Sequence, residues 1–291
     1  MSDTLLRAIA RDAGIQICAA STTELVERAH EIHNTTPLAT AALGRTLTAT
    51  AIMGSQLKVE DGSVTVQIKG NGPLGVGDSD GYVRGYLQDP AVDLPLRADG
   101  KLNVGGGVGR GYLMVIKDIG LKDPITGTVA LVNGEIAEDL TRYFAESEQI
   151  PSACALGVLV NPDGSVKAAG GFIMQLMPNA AEETVKALED NIFLMDQLTT
   201  ILDEDGAEAV IAQVFKGLEW HKTAESDMAY KCYCSRERVL GALASLSADD
   251  LASLREEQKD IEVRCQFCDA VYNFTPEEIA ALNAPEEDEK E

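Results

Sequence analysis

Four cysteines near the end of the sequence are the residues best placed to do chemistry: Cys232-Tyr233-Cys234 and, thirty residues on, Cys265-Gln266-Phe267-Cys268. A Cys-x-Cys turn and a Cys-x-x-Cys turn each present two sulfurs to one point. Two such pairs, brought together by a folded loop, make the donor set of a tetrahedral Zn²⁺ site, one ion per chain. Thiolates are soft ligands, and four of them without a histidine favour zinc or an iron–sulfur centre. Such a site is closed to water, which argues against Lewis-acid catalysis. Spacing alone leaves two alternatives, a pair of disulfides or four unrelated buried thiols.

The other chemistry-bearing motifs lack the context their mechanisms need. Gly70-Asn71-Gly72-Pro73-Leu74-Gly75 matches G-x-G-x-x-G after a strand, but no helix N-terminus follows to face a pyrophosphate, so a turn is expected. Gly105-Gly106-Gly107-Val108-Gly109-Arg110-Gly111 lacks the Lys-Ser/Thr of a phosphate loop and reads as a flexible connection. Gly77-Asp78-Ser79-Asp80-Gly81 has the spacing of a nucleophile elbow without its strand-to-helix setting, and reads as a surface turn. Asp203-Glu204-Asp205-Gly206 begins like a calcium loop without the later ligands. His30 and His33 stand at i and i+3 with no third ligand, which suggests a solvated or capping role; His221 follows the only tryptophan, Trp220. Cys18 and Cys154 lie among apolar residues, where a free cysteine behaves as a small buried hydrophobe. No catalytic constellation emerges, and the protein is not expected to be an enzyme.

The elements that must position the cysteines follow from patterning. Ser21-Thr22-Thr23-Glu24 fits a capping box opening a helix with Leu25, Ala29 and Ile32 on its apolar face. Thr36-Pro37 caps a second helix over about 38–57, whose density of Ala, Thr and Gly predicts burial close against a sheet. Val64, Val66 and Ile68 alternate along a strand over 63–69. Further strands are expected at 82–87, 111–117 and 128–132, then a helix over 136–147. A hairpin of 155–160 and 168–176 turns at Asn161-Pro162-Asp163-Gly164. From Ala181 the pattern reads as wholly helical, with one stripe of Val185, Leu188, Ile192, Met195 and Leu202 and another of Val210, Ile211, Val214, Phe215 and Leu218. Between and after the cysteine pairs, 238–244 and 249–255 read as helices, and 261–264 and 270–274 as strands. The expected fold class is α+β: an N-terminal domain of antiparallel sheets and packed helices (1–178), a helical linker (179–226) and a small C-terminal zinc-binding domain with an acidic tail (227–291). The last unit is too small to stand on an apolar core alone and needs a staple such as a metal.

Composition narrows the partners. Net charge is −23, from 47 acids against 24 bases, which repels phosphate backbones and disfavours a nucleic-acid zinc ribbon. No apolar run is long enough to span a bilayer, so no membrane is expected. The start, Met1 to Arg7, lacks the features of a signal peptide, and a cytoplasmic location is expected, where clustered cysteines are more often metal-bound or redox-active than structural disulfides.

The sequence resembles the heat shock protein 33 family of redox-regulated chaperones. The resemblance rests first on Cys232-Tyr233-Cys234-Ser235-Arg236-Glu237-Arg238 with Cys265-Gln266-Phe267-Cys268. It extends through Gly70-Asn71-Gly72-Pro73-Leu74, Val108-Gly109-Arg110-Gly111-Tyr112, Ser147-Glu148-Gln149-Ile150-Pro151 and Ala168-Ala169-Gly170-Gly171, with no departure at the four cysteine positions. It implies an ATP-independent holdase of the oxidative stress response, inactive when reduced and zinc-bound, with Cys232, Cys234, Cys265 and Cys268 as ligands. It further implies that oxidation closes Cys232–Cys234 and Cys265–Cys268 as disulfides and releases zinc. The active form would be a homodimer that binds unfolding, aggregation-prone client proteins. Thiolates are the species that peroxide or hypochlorous acid attacks, and each has a nearby cysteine to complete a disulfide. Two rival readings stand beside this: an acidic protein-binding module with an inert structural zinc, and a thioredoxin-type redox pair at Cys265–Cys268. The second lacks the βαβ setting, since 271–274 reads as a strand.

Overall fold

The computed structural model describes residues 3–282 apart from 70–73, 79, 179, 196 and 257–258. The chain divides into two compact units, 1–231 and 232–291. The first contains, in order, β1 (Thr4–Ala10), β2 (Ile15–Ser21), α1 (Thr23–His33), α2 (Pro37–Ser55), β3 (Ser63–Lys69), β4 (Leu74–Asp78) and β5 (Tyr82–Tyr86). There follow α3 (Val104–Val108), β6 (Tyr112–Asp118), β7 (Ile125–Ala130), α4 (Ala137–Tyr143) running into a π-helical turn (Phe144–Glu148), β8 (Ser152–Val160) and β9 (Val166–Leu176). The unit ends with α5 (Glu182–Phe193), α6 (Leu198–Glu204), α7 (Gly206–Val214), β10 (His221–Asp227) and β11 (Ala229–Tyr230).

Two sheets organise it, one of order β10-β1-β2-β9-β8 and one of order β11-β5-β4-β3-β6-β7. Pairing is antiparallel except for the short parallel contact of β11 with β5. The α+β class read from the sequence is the observed one. Helix α2 lies between the sheets, packed on β8 and β9 on one side and on β4 and β5 on the other. That position explains its composition. Residues 38–55 are buried with the single exception of Arg45, and the approach is close: a Cβ on Gly54 would stand 2.6 Å from the Asp78 carbonyl oxygen. Its buried threonines satisfy their hydroxyls within the helix, Thr46, Thr48 and Thr50 each donating to the carbonyl four residues back.

The start of α2 is as read from the sequence: Pro37 opens it and the Thr36 hydroxyl accepts from the Ala39 amide. The capping box expected at α1 does not form. The Thr22 hydroxyl instead meets Thr48 Oγ1 at 2.7 Å, and the Asp3 carboxylate accepts the Glu24 and Leu25 amides at 3.1 and 2.6 Å. A buried threonine partner and an acid twenty residues upstream outcompete the local motif. The Gly-rich stretch 105–111 is also more ordered than a flexible connection, since 104–108 form α3, capped by Asn103.

Helices α5 to α7 cover the outer face of the first sheet. Leu188, Leu202, Val210, Ile211, Val214 and Phe215 are buried there against Leu6, Ala8, Ile17 and Phe172. The expected stripes are therefore seated, although Val185 is only half-buried. The wholly helical pattern expected from Ala181 stops at Val214. His221–Asp227 is a strand along the edge of β1, every residue of it exposed. Its polar sequence has no strand periodicity, and the open edge of β1 decides its conformation.

The second unit holds α8 (Arg236–Ala244), α9 (Ala248–Glu256), the antiparallel pair β12 (Ile261–Arg264) and β13 (Val271–Phe274), and α10 (Pro276–Ala281). Leu251, Phe274 and Ile279 are its fully buried apolar residues among those described. The acidic tail expected at 285–291 lies outside the described residues.

Candidate metal centre

Local structure presents each cysteine pair. Cys232 and Cys234 lie on an extended segment ahead of α8, whose first turn is capped by the Ser235 side chain, and Arg238 holds the turn by donating to the Tyr233 carbonyl at 3.0 Å. Cys265 and Cys268 occupy the turn between β12 and β13. The Cys265 amide donates to the Ala270 carbonyl, and the Asp269 amide to the Cys265 carbonyl, both at 2.9 Å. Asp269 takes a left-handed conformation (φ 60°) and is held by Arg264 at 2.9 Å. Arg236 braces the same unit, stacking over the Phe274 ring at 4.5 Å and pairing with Glu278 at 2.8 Å.

These turns bring the four sulfurs within 4.8 Å of one another. Cys232 and Cys265 Sγ are 3.7 Å apart, Cys234 and Cys268 Sγ 3.3 Å, and all four are free thiols. Zn–S bonds of about 2.3 Å define a tetrahedron with edges of about 3.8 Å, so the donor set fits a zinc ion in both chemistry and size. The Tyr272 hydroxyl donates to Cys234 Sγ at 3.1 Å, an outer partner of the kind that orients a metal-bound sulfur. Burial acts to raise the Cys234 thiol, but hydrogen bonds from Tyr272 and the neighbouring sulfurs outweigh it and bring it down to about 7. Burial drives Cys232 and Cys268 upward. One sulfur is thus stabilised as thiolate before any cation adds its charge.

The remaining sequence motifs belong to the first unit. His30 Nδ1 bonds the Thr35 hydroxyl at 3.1 Å and His33 Nε2 the Gly85 carbonyl at 2.9 Å. Both rings are half-buried, not solvated, because α1 packs against neighbouring strands. Cys18 is buried and Cys154 half-buried; burial pushes their thiols to about 11 and about 12, so both are protonated near neutrality. Residues 70–73 and Ser79, parts of the dinucleotide-like and elbow motifs, lie outside the described residues. Asp203 ends α6 in an ion pair with Lys167 at 3.1 Å. Trp220 packs edge-on against Phe215. Tyr272 and Arg236 were missing from the sequence-based site. Only their i+2 and i+4 placement beside a cysteine hinted at them.

A four-thiol cluster that could hold a metal ion, in a small C-terminal unit of a chain of α+β class, sets the class of protein to be compared. Comparison with known proteins resolves which class member family this is. Residues 3–275 match the profile described as Hsp33 protein. A 33 kDa chaperonin of Clostridium perfringens is 51% identical over 289 residues, covering 97% of this chain and 91% of its own length. The 33 kDa chaperonin of Desulforamulus reducens is 44% identical, covering 97% of both chains. The crystal structure of the 33 kDa chaperonin, a heat shock protein 33 homolog, from Thermotoga maritima superposes with a TM-score of 0.87 at 37% identity, over 97% of each chain. The chain belongs to the Hsp33 family, and that membership supports a chaperone function. Chaperonins are a non-enzymatic class of protein. Among the described residues, no helix is long and apolar enough to cross a membrane.

Proposed function

We propose that the protein is a redox-regulated, ATP-independent holdase whose switch is Cys232, Cys234, Cys265 and Cys268. The observation that carries this reading is the meeting of four sulfurs within 4.8 Å in a unit with three fully buried apolar side chains among its described residues. A structural Zn²⁺ bound there supplies cross-linking of two turns, worth about 10–16 kcal/mol in small zinc-binding peptides at neutral pH. A unit of this size draws only about 3–5 kcal/mol from its apolar core.

Oxidation closes Cys232–Cys234 and Cys265–Cys268. Each closure forms one S–S bond and passes two electrons to a peroxide, whose O–O bond breaks and which, with two protons from solvent, leaves as two molecules of water. Both disulfides together remove all four thiolate donors, and with them the cross-link that the unit's core cannot replace. The functional division follows: a client-binding and dimerising domain at 1–178, a helical linker at 179–226 and the switch at 227–291. The linker's apolar face, centred on Leu188, Val210, Ile211 and Phe215, becomes client-binding surface when α5 to α7 leave the sheet. Phe193 and Leu194, 87% and 73% exposed at the end of α5, support a weak hold at that point. The oxidised form acts in the cytoplasm as a homodimer on unfolding proteins, and neither nucleic acid nor membrane is a partner.

The test is to purify the reduced protein and treat it with hydrogen peroxide at mildly elevated temperature. Metal release, far-UV circular dichroism and aggregation of an unfolding client are then followed together. The expected result is loss of one zinc per chain, loss of helical signal and suppression of client aggregation, all reversed by thiol reductant. Retention of the metal, or release with no gain in suppression, would sink the switch and favour an inert zinc module.

A further inference from the structure

We propose that a cavity in the first unit, between strands β1 and β2 and the C-terminal end of α2, binds a small organic carboxylate with a short apolar body. The cavity has a volume of about 340 Å³ and lies wholly within that unit. Its charge is the first observation. Arg7, Lys58 and Lys117 line it against a single acid, Glu148, a net of +2 in a chain whose overall charge is −23. Glu148 is already engaged, paired with Lys117 and accepting from the Tyr143 hydroxyl at 2.7 Å. The excess charge therefore rests on Arg7 and Lys58.

The second observation is independent. Arg7 Nε is shut off from solvent with no hydrogen-bond partner, which leaves the outer N–H groups of the guanidinium to face a ligand. Across the β1–β2 ladder, Arg7 stands opposite Cys18, which also lines the cavity. The Cys18 thiol, held protonated by burial, hydrogen-bonds the Arg7 side chain without neutralising its charge. Gln175, only 6% exposed, lines the same space with its amide fixed by the Gln16 side chain at 3.0 Å. A planar, bidentate acceptor such as a carboxylate matches the guanidinium fork.

The walls decide between a bare anion and an amphipathic one. Met53, Leu57, Phe144 and Ile150 supply an apolar lining that inorganic phosphate would leave unused. At about 30 Å³ per water molecule, the volume suits a ligand on the order of ten non-hydrogen atoms. This site lies in the first unit and the cysteine centre in the second, and its test is read in the reduced form so that it does not depend on the switch.

The probe is octanoate, titrated into the full-length, reduced, zinc-loaded protein by calorimetry. Methyl NMR of Met53 and Ile150 reports the position of binding. Octylammonium and inorganic phosphate are the comparison ligands. Saturable binding of one octanoate per chain is expected, with shifts at those methyls and none with octylammonium. Arg7→Met should weaken it at least about tenfold, as for loss of a charge-assisted hydrogen bond. Lys58→Met, beyond the end of α2 where folding is insensitive, should weaken it by a smaller factor. Absence of saturable binding, equal binding of octylammonium or of phosphate, or affinity unchanged in both variants would each overturn the proposal.

Discussion

The two units solve the same problem of stability by opposite means. In the first, α2 is enclosed between two sheets, and Leu38, Leu43, Leu47 and Ile52 are all within 1% of complete burial. In the second, Leu251, Phe274 and Ile279 are the fully buried apolar residues among those described, and the closest packing of chemistry is four sulfurs. Burial scales with the size of the unit, so about fifty ordered residues cannot exclude enough apolar surface to offset chain entropy. A core cannot be withdrawn by a change of solution chemistry, whereas thiolate ligation can. The difference teaches why the proposed switch falls in the smaller unit.

The contrast breaks most visibly on metal removal. A chelator acting on the reduced protein should unfold 232–282 while leaving the first unit protected. Hydrogen exchange followed by mass spectrometry should show fast exchange in α8 to α10 and slow exchange in α2; protection of both units without metal would abolish the distinction. The converse perturbation is Leu47→Ala in α2, expected to cost about 2–5 kcal/mol in urea unfolding of the first unit with zinc content unchanged. Loss of metal from that variant would mean that the units do not stand apart.

A smaller effect sharpens the picture of the metal site. Tyr272→Phe removes the hydroxyl that donates to Cys234 Sγ, and zinc affinity should fall about tenfold, as for loss of an outer-shell partner, with the fold retained. Competition with a chromogenic chelator measures it, and an unchanged affinity would make the tyrosine a bystander. The smallest effect belongs to the first unit and is a pH dependence. Burial outweighs the backbone hydrogen bonds at Asp3 and raises its pKa from 3.8 to about 6. The folded chain therefore keeps this proton where the unfolded chain has released it, and Asp3's contribution to stability falls as pH rises from about 4 to about 6. Asp3→Asn should flatten that part of the urea-midpoint profile; an identical profile would place the titration elsewhere.

Strands with one buried face were legible in the sequence. Ser63–Lys69 alternates and forms β3 with those bounds. The first two strands were not. In β2, Ile15–Ser21 is buried on both faces except at Gln16, because helices cover both sides of its sheet, and no alternation survives. β10 was hidden for the reverse reason, being exposed throughout. The α1 cap was misread because Asp3 reaches it from the segment just ahead of β1, about twenty residues upstream. At the metal site, the four cysteines were legible from spacing, while Tyr272 was not, since a tyrosine in a short strand carries no mark of what its hydroxyl meets.

What the sequence by itself determined is the donor set, two cysteine pairs each held within a turn of three or four residues, while the meeting of the two pairs within 4.8 Å is a tertiary contact. The sequence also determined that α2 is buried, because small residues at that density have no other use. The tertiary structure alone decided where the helices after Ala181 lie, which strand pairs with the edge of β1, and that Arg7 and Lys58 share a cavity. Those outcomes depend on contacts between residues distant along the chain, and local periodicity carries no information about such partners.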